Sequence, residues 1–271
     1  MIQTPETFSG ILEEMTIEQV RRLAPEVVVL PIGSTEPHGP HLPYGTDTFE
    51  TAALCRRAVI AANAGGAKVL MYPVLPISNN VNFQAFPFAC RIGVRTLMNV
   101  VLDIVEALEE DGIRKIVLVN WHGGNPDTLQ AAIREHTGRH APGEGAFLCL
   151  ASPGSFISRE AWQCIEHPSE HAGEAETSFM LHLRPELVHS AEFDKFPVQQ
   201  PVLETLKAGR VFYVRPWHGL MPASAGGETR ASSADKGEKL MAEAVAGLAD
   251  FLRELSAAEW HELFPYPPAQ D

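Results

Sequence analysis

The stretch Gly112-Ile113-Arg114-Lys115-Ile116-Val117-Leu118-Val119-Asn120-Trp121-His122-Gly123-Gly124-Asn125-Pro126 closes one helix, runs through a strand and opens the next helix. Lys115 to Asn120 is β-branched and apolar, as a strand buried on both faces requires. Upstream, Val94, Leu97, Met98, Val101, Ile104, Val105 and Leu108 recur by threes and fours, which predicts a helix from about Gly93 to Asp111 with Gly112 as its terminator. Downstream, Trp121 to Asn125 reads as a tight turn, and Pro126 suits a first helical position.

The same alternation extends in both directions. Val27-Val28-Val29-Leu30 reads as a strand, Asp47 to Ala64 as a helix closed by Gly65-Gly66, Ala67 to Met71 as a strand, and Ala146 to Leu150 as a fourth strand. Between them, Tyr72 to Ile92 is a long irregular stretch of the kind that is more often functional than idle. Strands alternating with helices predict an α/β fold with a mostly parallel sheet and helices on both faces. Ligands bind such a sheet beyond the carboxyl ends of its strands.

Chemistry-bearing residues gather where that rule points. Glu36, His38 and Asp47 follow the first strand, and His122 follows the strand ending at Asn120. Carboxylate oxygen and imidazole nitrogen are the donors that suit zinc, manganese or iron. A third segment, His171-Ala172-Gly173-Glu174-Ala175-Glu176-Thr177-Ser178, leads into apolar residues and suggests a helix with His171 and Glu174 on one face. On such a helix Glu176 lies roughly 200° from Glu174, so only one of the two can face a metal easily.

Composition narrows the partners. With 271 residues and 45% hydrophobic content, the chain can bury a full core, and no linker or repeat divides it, so residues 1–271 read as one domain. A net charge of −13 without a basic stripe argues against nucleic acid and anionic membrane. Met1 to Glu6 carry neither a basic start nor an apolar targeting region, and no eighteen-residue apolar run occurs, so a cytoplasmic location is expected. Cys55, Cys90, Cys149 and Cys164 lack a Cys-x-x-Cys pair and read as thiols in a reducing compartment. There is no Gly-x-Gly-x-x-Gly run for a nucleotide, and Ser34 and Ser78 lack a persuasive triad.

Four motifs together resemble the creatininase (creatinine amidohydrolase) family: Leu30 to Pro43 with its Glu36-Pro37-His38-Gly39-Pro40-His41, then Thr46-Asp47-Thr48, then Asn120-Trp121-His122-Gly123-Gly124-Asn125, then His171 to Ser178. The resemblance implies a three-layer α/β/α sandwich and two divalent ions, zinc, manganese or iron. Glu36, Asp47 and His122 would hold one ion, and His38 with a bridging Asp47 the other. Relatives that cleave creatinine carry a further carboxylate two residues after the turn histidine, where this chain has Gly124, so that role is assigned to Glu174, with Glu176 as the fallback. Further departures, His167-Pro168-Ser169-Glu170-His171 in place of a Trp-Asp pair, and Asn82-Phe83 and Phe86-Pro87-Phe88-Ala89 in the long loop, lower the expectation for creatinine itself.

The implied activity is metal-dependent hydrolysis of a non-peptide, cyclic or formylated amide C–N bond by a hydroxide shared between two ions. His171 suits proton transfer to the departing nitrogen, with Glu176 or Glu170 orienting it. Sibling activities stay open: formyl-pyrimidine deformylation, peptide trimming in cofactor maturation, or cyclic keto-sugar hydrolysis. A non-catalytic metal-binding assembly protein is the third class. The partner is a small-molecule substrate, and the family resemblance implies a homohexamer, for which Trp217, Leu220, Met221 and Pro222 are a candidate subunit contact or a cover over a neighbouring site, or else an ordinary core loop.

Overall fold

The structure, a computed structural model, describes residues 8–268; the reading of Met1 to Glu6 lies outside them. In chain order the elements are α1 (Ile17–Leu23), β1 (Val27–Ile32), α2 (Thr46–Ala64), β2 (Val69–Met71), α3 (Val94–Glu110), β3 (Lys115–Asn120), α4 (Pro126–Arg139), β4 (Phe147–Ala151), α5 (Arg159–Trp162) and α6 (Glu174–Leu183). β5 (Lys195–Phe196), α7 (Glu204–Lys207), α8 (Trp217–Leu220), β6 (Gly227–Glu228) and α9 (Ala234–Ala257) complete the chain.

β1 to β4 form a parallel sheet in the order β2-β1-β3-β4, with Ile32 beside Asn120 in the central pair. All six residues of β1 and all six of β3 are buried, because helices cover both faces. Alternate side chains separate into two cores. Val27, Val29, Val117 and Val119 face α2, α6 and α9, while Val28, Leu30, Ile116 and Leu118 face α3 and α4. Each such side chain contributes about 1.5–3 kcal/mol by leaving water.

The α/β architecture expected from the alternation is therefore present, with element boundaries shifted by a residue or two. One expectation is corrected. The helix thought to carry His171 begins only at Glu174, because Gly173 is its N-cap in extended conformation and Ala172 takes a left-handed φ of 48°. α6 lies against α9 closely enough that a Cβ on Gly237 would sit 2.0 Å from the Ser178 carbonyl oxygen. Only glycine permits that crossing.

Among the described residues no helix is long and apolar enough to cross a membrane. Of the stretch from Trp217 to Pro222, Trp217 and Met221 pack inward on Phe83 and Ala89, Leu220 is half-buried and Pro222 is exposed.

Candidate metal centre

The parallel pairing of β1 with β3 brings the loops after both strands to one edge of the sheet. The loop after β1 is fixed from several sides: Glu36 N–H donates to the Tyr44 carbonyl at 2.9 Å, and Thr48 Oγ1 to the Ser34 carbonyl at 2.8 Å. The long stretch from Tyr72 to Ile92 braces it. Asn80 accepts from Ser34 Oγ at 2.9 Å and donates to the Thr35 and Cys90 carbonyls. After β3, Asn120 Nδ2 donates to the His122 carbonyl at 2.8 Å and Asn125 Nδ2 to Asn120 Oδ1 at 2.9 Å, which holds the turn. Asp47 sits in the first turn of α2 with its side chain turned inward, so it is not the helix cap, a place taken by Gly45.

Four buried groups and the half-buried Glu176 converge there. Asp47 Oδ1 lies 3.2 Å from His38 Nε2, and Asp47 Oδ2 lies 3.1 Å from His122 Nδ1. Glu36 Oε1 is 3.2 Å from His122 Nδ1, and Glu176 Oε2 is 3.9 Å from His38 Nε2. The two oxygens of Asp47 thus serve two different groupings, Glu36/Asp47/His122 and His38/Asp47/Glu176. Ligands about 2.0–2.1 Å from a tetrahedral ion stand about 3.3 Å apart, so most of these separations suit a shared cation.

The ring orientations point the same way. His38 Nδ1 lies 3.0 Å from the Glu36 carbonyl oxygen, His122 Nε2 3.3 Å from that of Asn79, and His171 Nε2 2.9 Å from that of Pro37. A carbonyl oxygen only accepts, so each of these nitrogens carries the proton, and the other nitrogen presents a lone pair or a second proton to the carboxylates. This is how metal-binding imidazoles are oriented by their surroundings.

Electrostatically the cluster is short of positive charge. Burial, with Asp47 adding to it, pushes the Glu36 carboxyl up despite His122 beside it. Burial and Asp47 likewise raise Glu176 to about 7 against the pull of His38. Burial alone would lower His38, yet Asp47, Glu176 and Glu36 hold it at about 10, and the same balance raises His122. Asp47 stays below the usual carboxylate range although burial opposes it, because His38 and His122 flank it. His38 Nε2 and Asp47 Oδ2 are buried yet lack an aligned hydrogen-bond partner among the described residues. Divalent cations fit the same place, since the donors are those that zinc, manganese and iron take.

Glu174 is not part of this cluster, which corrects the assignment made to it. Its carboxylate accepts the Glu166 and His167 N–H groups at 3.0 and 2.7 Å through Oε2 and pairs with Lys236 Nζ at 2.6 Å through Oε1. Because α6 starts at Glu174, the two residues to Glu176 carry that side chain round the helix, and Glu176 is the carboxylate that faces His38. Gly124 has no room for the missing acid. A Cβ there would lie 2.4 Å from His122 Nε2 and 2.6 Å from the Asn79 carbonyl oxygen.

His171 does reach the site, but from the bend before α6. Its Nδ1 is 3.8 Å from Glu36 Oε1, and its ring lies 4.3 Å from His38 and 5.2 Å from Phe83 between centroids. The expected carboxylate behind it is absent: Pro37 supplies the carbonyl instead, Glu170 pairs with Arg215 at 2.6 Å, and Glu176 faces His38. Burial, with His38 adding to it, holds His171 well below its ordinary value, so its ring is neutral.

Sequence reasoning missed Glu50, one turn beyond Asp47 on α2. It is fully buried, neither oxygen has a hydrogen-bond partner among the described residues, and burial beside Glu176 and Asp47 pushes its carboxyl far up. The i, i+3 spacing from Asp47 was the signal for it. The Asn79 and Pro37 carbonyls had no signal, since backbone orientation is not written in residue type.

The cluster opens into a cleft of about 1310 Å³ whose wall includes Phe83, Trp121, Trp217, Arg91 and Arg215. The family described as creatininase, creatinine amidohydrolase, matches residues 13–252. A mycofactocin precursor peptide peptidase of Mycolicibacterium smegmatis is 29% identical over 252 residues, covering 91% of this chain and 92% of that protein. A 3-dehydro-scyllo-inosose hydrolase of Thermotoga maritima is 26% identical over 281 residues, covering 95% and 86%. Among solved structures, a manganese creatininase superposes with a TM-score of 0.74 at 26% identity, covering 93% of this chain and all of that one. A creatininase variant of Zn–Zn type matches equally well, with a TM-score of 0.74.

Proposed function

The chain belongs to the creatininase family of hydrolases, and on that premise we propose that it hydrolyses an amide C–N bond with two divalent ions, zinc, manganese or iron, held on either side of Asp47. The observation that carries the reading is the division of the Asp47 carboxylate, one oxygen toward His38 and the other toward His122. Glu36 and His122 complete one set of donors, and His38 and Glu176 the other. When bound, two such ions lower the pKa of a water molecule toward ~7 and polarise the carbonyl it attacks.

The remaining work falls to the chain's own side chains. His171 Nδ1 takes one proton from the attacking water and returns it to the departing nitrogen as the C–N bond breaks. The nitrogen leaves as an amine, and the carboxylic acid formed gives its remaining proton to that amine, leaving a carboxylate and an ammonium. The Pro37 carbonyl fixes the tautomer that this requires. Phe83 and Trp217 pack on the His171 ring and hold it at the wall of the cleft.

The substrate class is a small non-peptide amide, cyclic or formylated. A second reading, removal of residues from a peptide end, is favoured by the size of the cleft, since about 1310 Å³ exceeds the roughly 300–1,000 Å³ of ordinary small-ligand pockets. A hydrolysis screen of cyclic amides, formamides and short peptides, run after chelation and after adding back zinc, manganese or iron, tests both. Activity that survives chelation, or that is unchanged in Asp47→Ala, would overturn the metal role; the class of substrate cleaved decides between the readings.

A further inference from the structure

A second set of metal-type donors lies at the opposite edge of the sheet. α4 starts just after the His122 turn and is fourteen residues long, so its far end is about 20 Å away. There His136, in its last turn, and His140, its C-cap, stand four residues apart, while Glu109 reaches them from the last turn of α3.

The three are already gathered. Glu109 Oε1 is 3.1 Å from His136 Nε2, and Glu109 Oε2 is 3.7 Å from His140 Nε2. The two imidazole centroids are 4.7 Å apart, and one donor atom from each of the three residues lies within 4.8 Å of the others. These separations bracket the ~3.3 Å expected between ligands of a tetrahedral ion with bonds of about 2.0–2.1 Å. His136 is buried and Glu109 nearly so, and no Lys or Arg is paired with this carboxylate among the described residues, although Arg139 nearby is taken up by Glu106 and Glu135. The Ala146 N–H also donates to Glu109 Oε1, at 2.6 Å, which ties the start of β4 to the same carboxylate. His140 is the partly exposed member, so solvent has access for a fourth ligand.

We propose that Glu109, His136 and His140 form a divalent transition-metal site of the zinc class, separate from the cluster around Asp47, that fastens the ends of α3 and α4 to the start of β4. Two imidazoles and one carboxylate are a donor set that zinc takes, leaving one position for water. A metal there adds a cross-link to three elements already packed through a common apolar core and the Arg139–Glu106 pair, and so stabilises the folded chain by mass action.

Equilibrium dialysis of the full chain against zinc chloride, followed by elemental analysis and thermal melting, tests this. His140→Ala removes a side chain at the surface, and Glu109→Gln keeps an oxygen for the Ala146 N–H while removing the charge. Each variant is expected to hold one zinc fewer per chain than the wild type, to lose the zinc-dependent rise in melting temperature, and to keep its hydrolytic rate. Wild-type zinc content and an undiminished zinc-dependent rise in both variants would overturn the site and leave the trio as a hydrogen-bonded pin between helices.

Discussion

Glu176→Gln removes charge from the side of the cluster that faces His38, whereas Glu174→Gln removes it from a pocket built by Lys236 and two backbone N–H groups. The first variant is expected to lose the ion on the His38 side and most activity while folding normally. The second should keep the metals of the Asp47 cluster. Elemental analysis beside a thermal melt separates them, and the reverse pattern would return the metal role to Glu174. At His171, His171→Asn should fold, retain its metals and lose about 10²- to 10⁴-fold in turnover. The loss should shrink for substrates with good leaving groups, because a nitrogen that departs easily needs little protonation. Equal losses across a leaving-group series would remove His171 from proton transfer. Glu36, His38, Asp47 and His122 were legible in the sequence because each follows a strand whose carboxyl end could be placed. The choice between Glu174 and Glu176 was not, since it depends on where α6 begins, and a left-handed Ala172 before an extended Gly173 sets that start.

At the scale of elements, α6 owes its placement to two contacts that can be weakened separately. Glu174 is held below the ordinary carboxyl range: burial opposes this, but Lys236 and the Glu166 and His167 N–H groups outweigh it. A depressed carboxyl contributes stability that is present above its unfolded value and lost as pH falls through the folded one. Wild type should therefore lose this contribution on acidification, whereas Glu174→Gln, destabilised by about 1–3 kcal/mol near neutrality, should lose correspondingly less between neutral and acid pH. Denaturant titrations at both pH values check it, and an equal fall in both proteins would contradict it. Gly237→Ala places a Cβ against the Ser178 carbonyl, so α6 and α9 must part at a cost of about 1–3 kcal/mol. The four strands of the parallel sheet and the helices α2, α3 and α4 were read from the sequence, as β3 and α3 illustrate, whereas α9, the longest helix, was not. The β5–β6 pairing was not, because two-residue strands leave no pattern.

At the scale of the molecule, the sheet places the chemistry at one edge, and part of the exposed apolar surface borders the same cleft. Trp217 and Met221 turn inward, yet Val202, Leu203, Val211, Phe212 and Val214 remain exposed, with Val202 at 91% and Phe212 at 82%, and Phe212 and Val214 line the cleft. Exposed apolar side chains in such number favour contact between copies, and we propose a homo-oligomer on that ground. Light scattering at a single-chain mass across micromolar concentrations would contradict it. The central claim is that Asp47 joins two metal ions, and electron paramagnetic resonance of the manganese-loaded protein tests it most directly. The account predicts the spectrum of an exchange-coupled manganese pair, lost in Asp47→Ala; a wild-type spectrum of isolated manganese ions alone would contradict it.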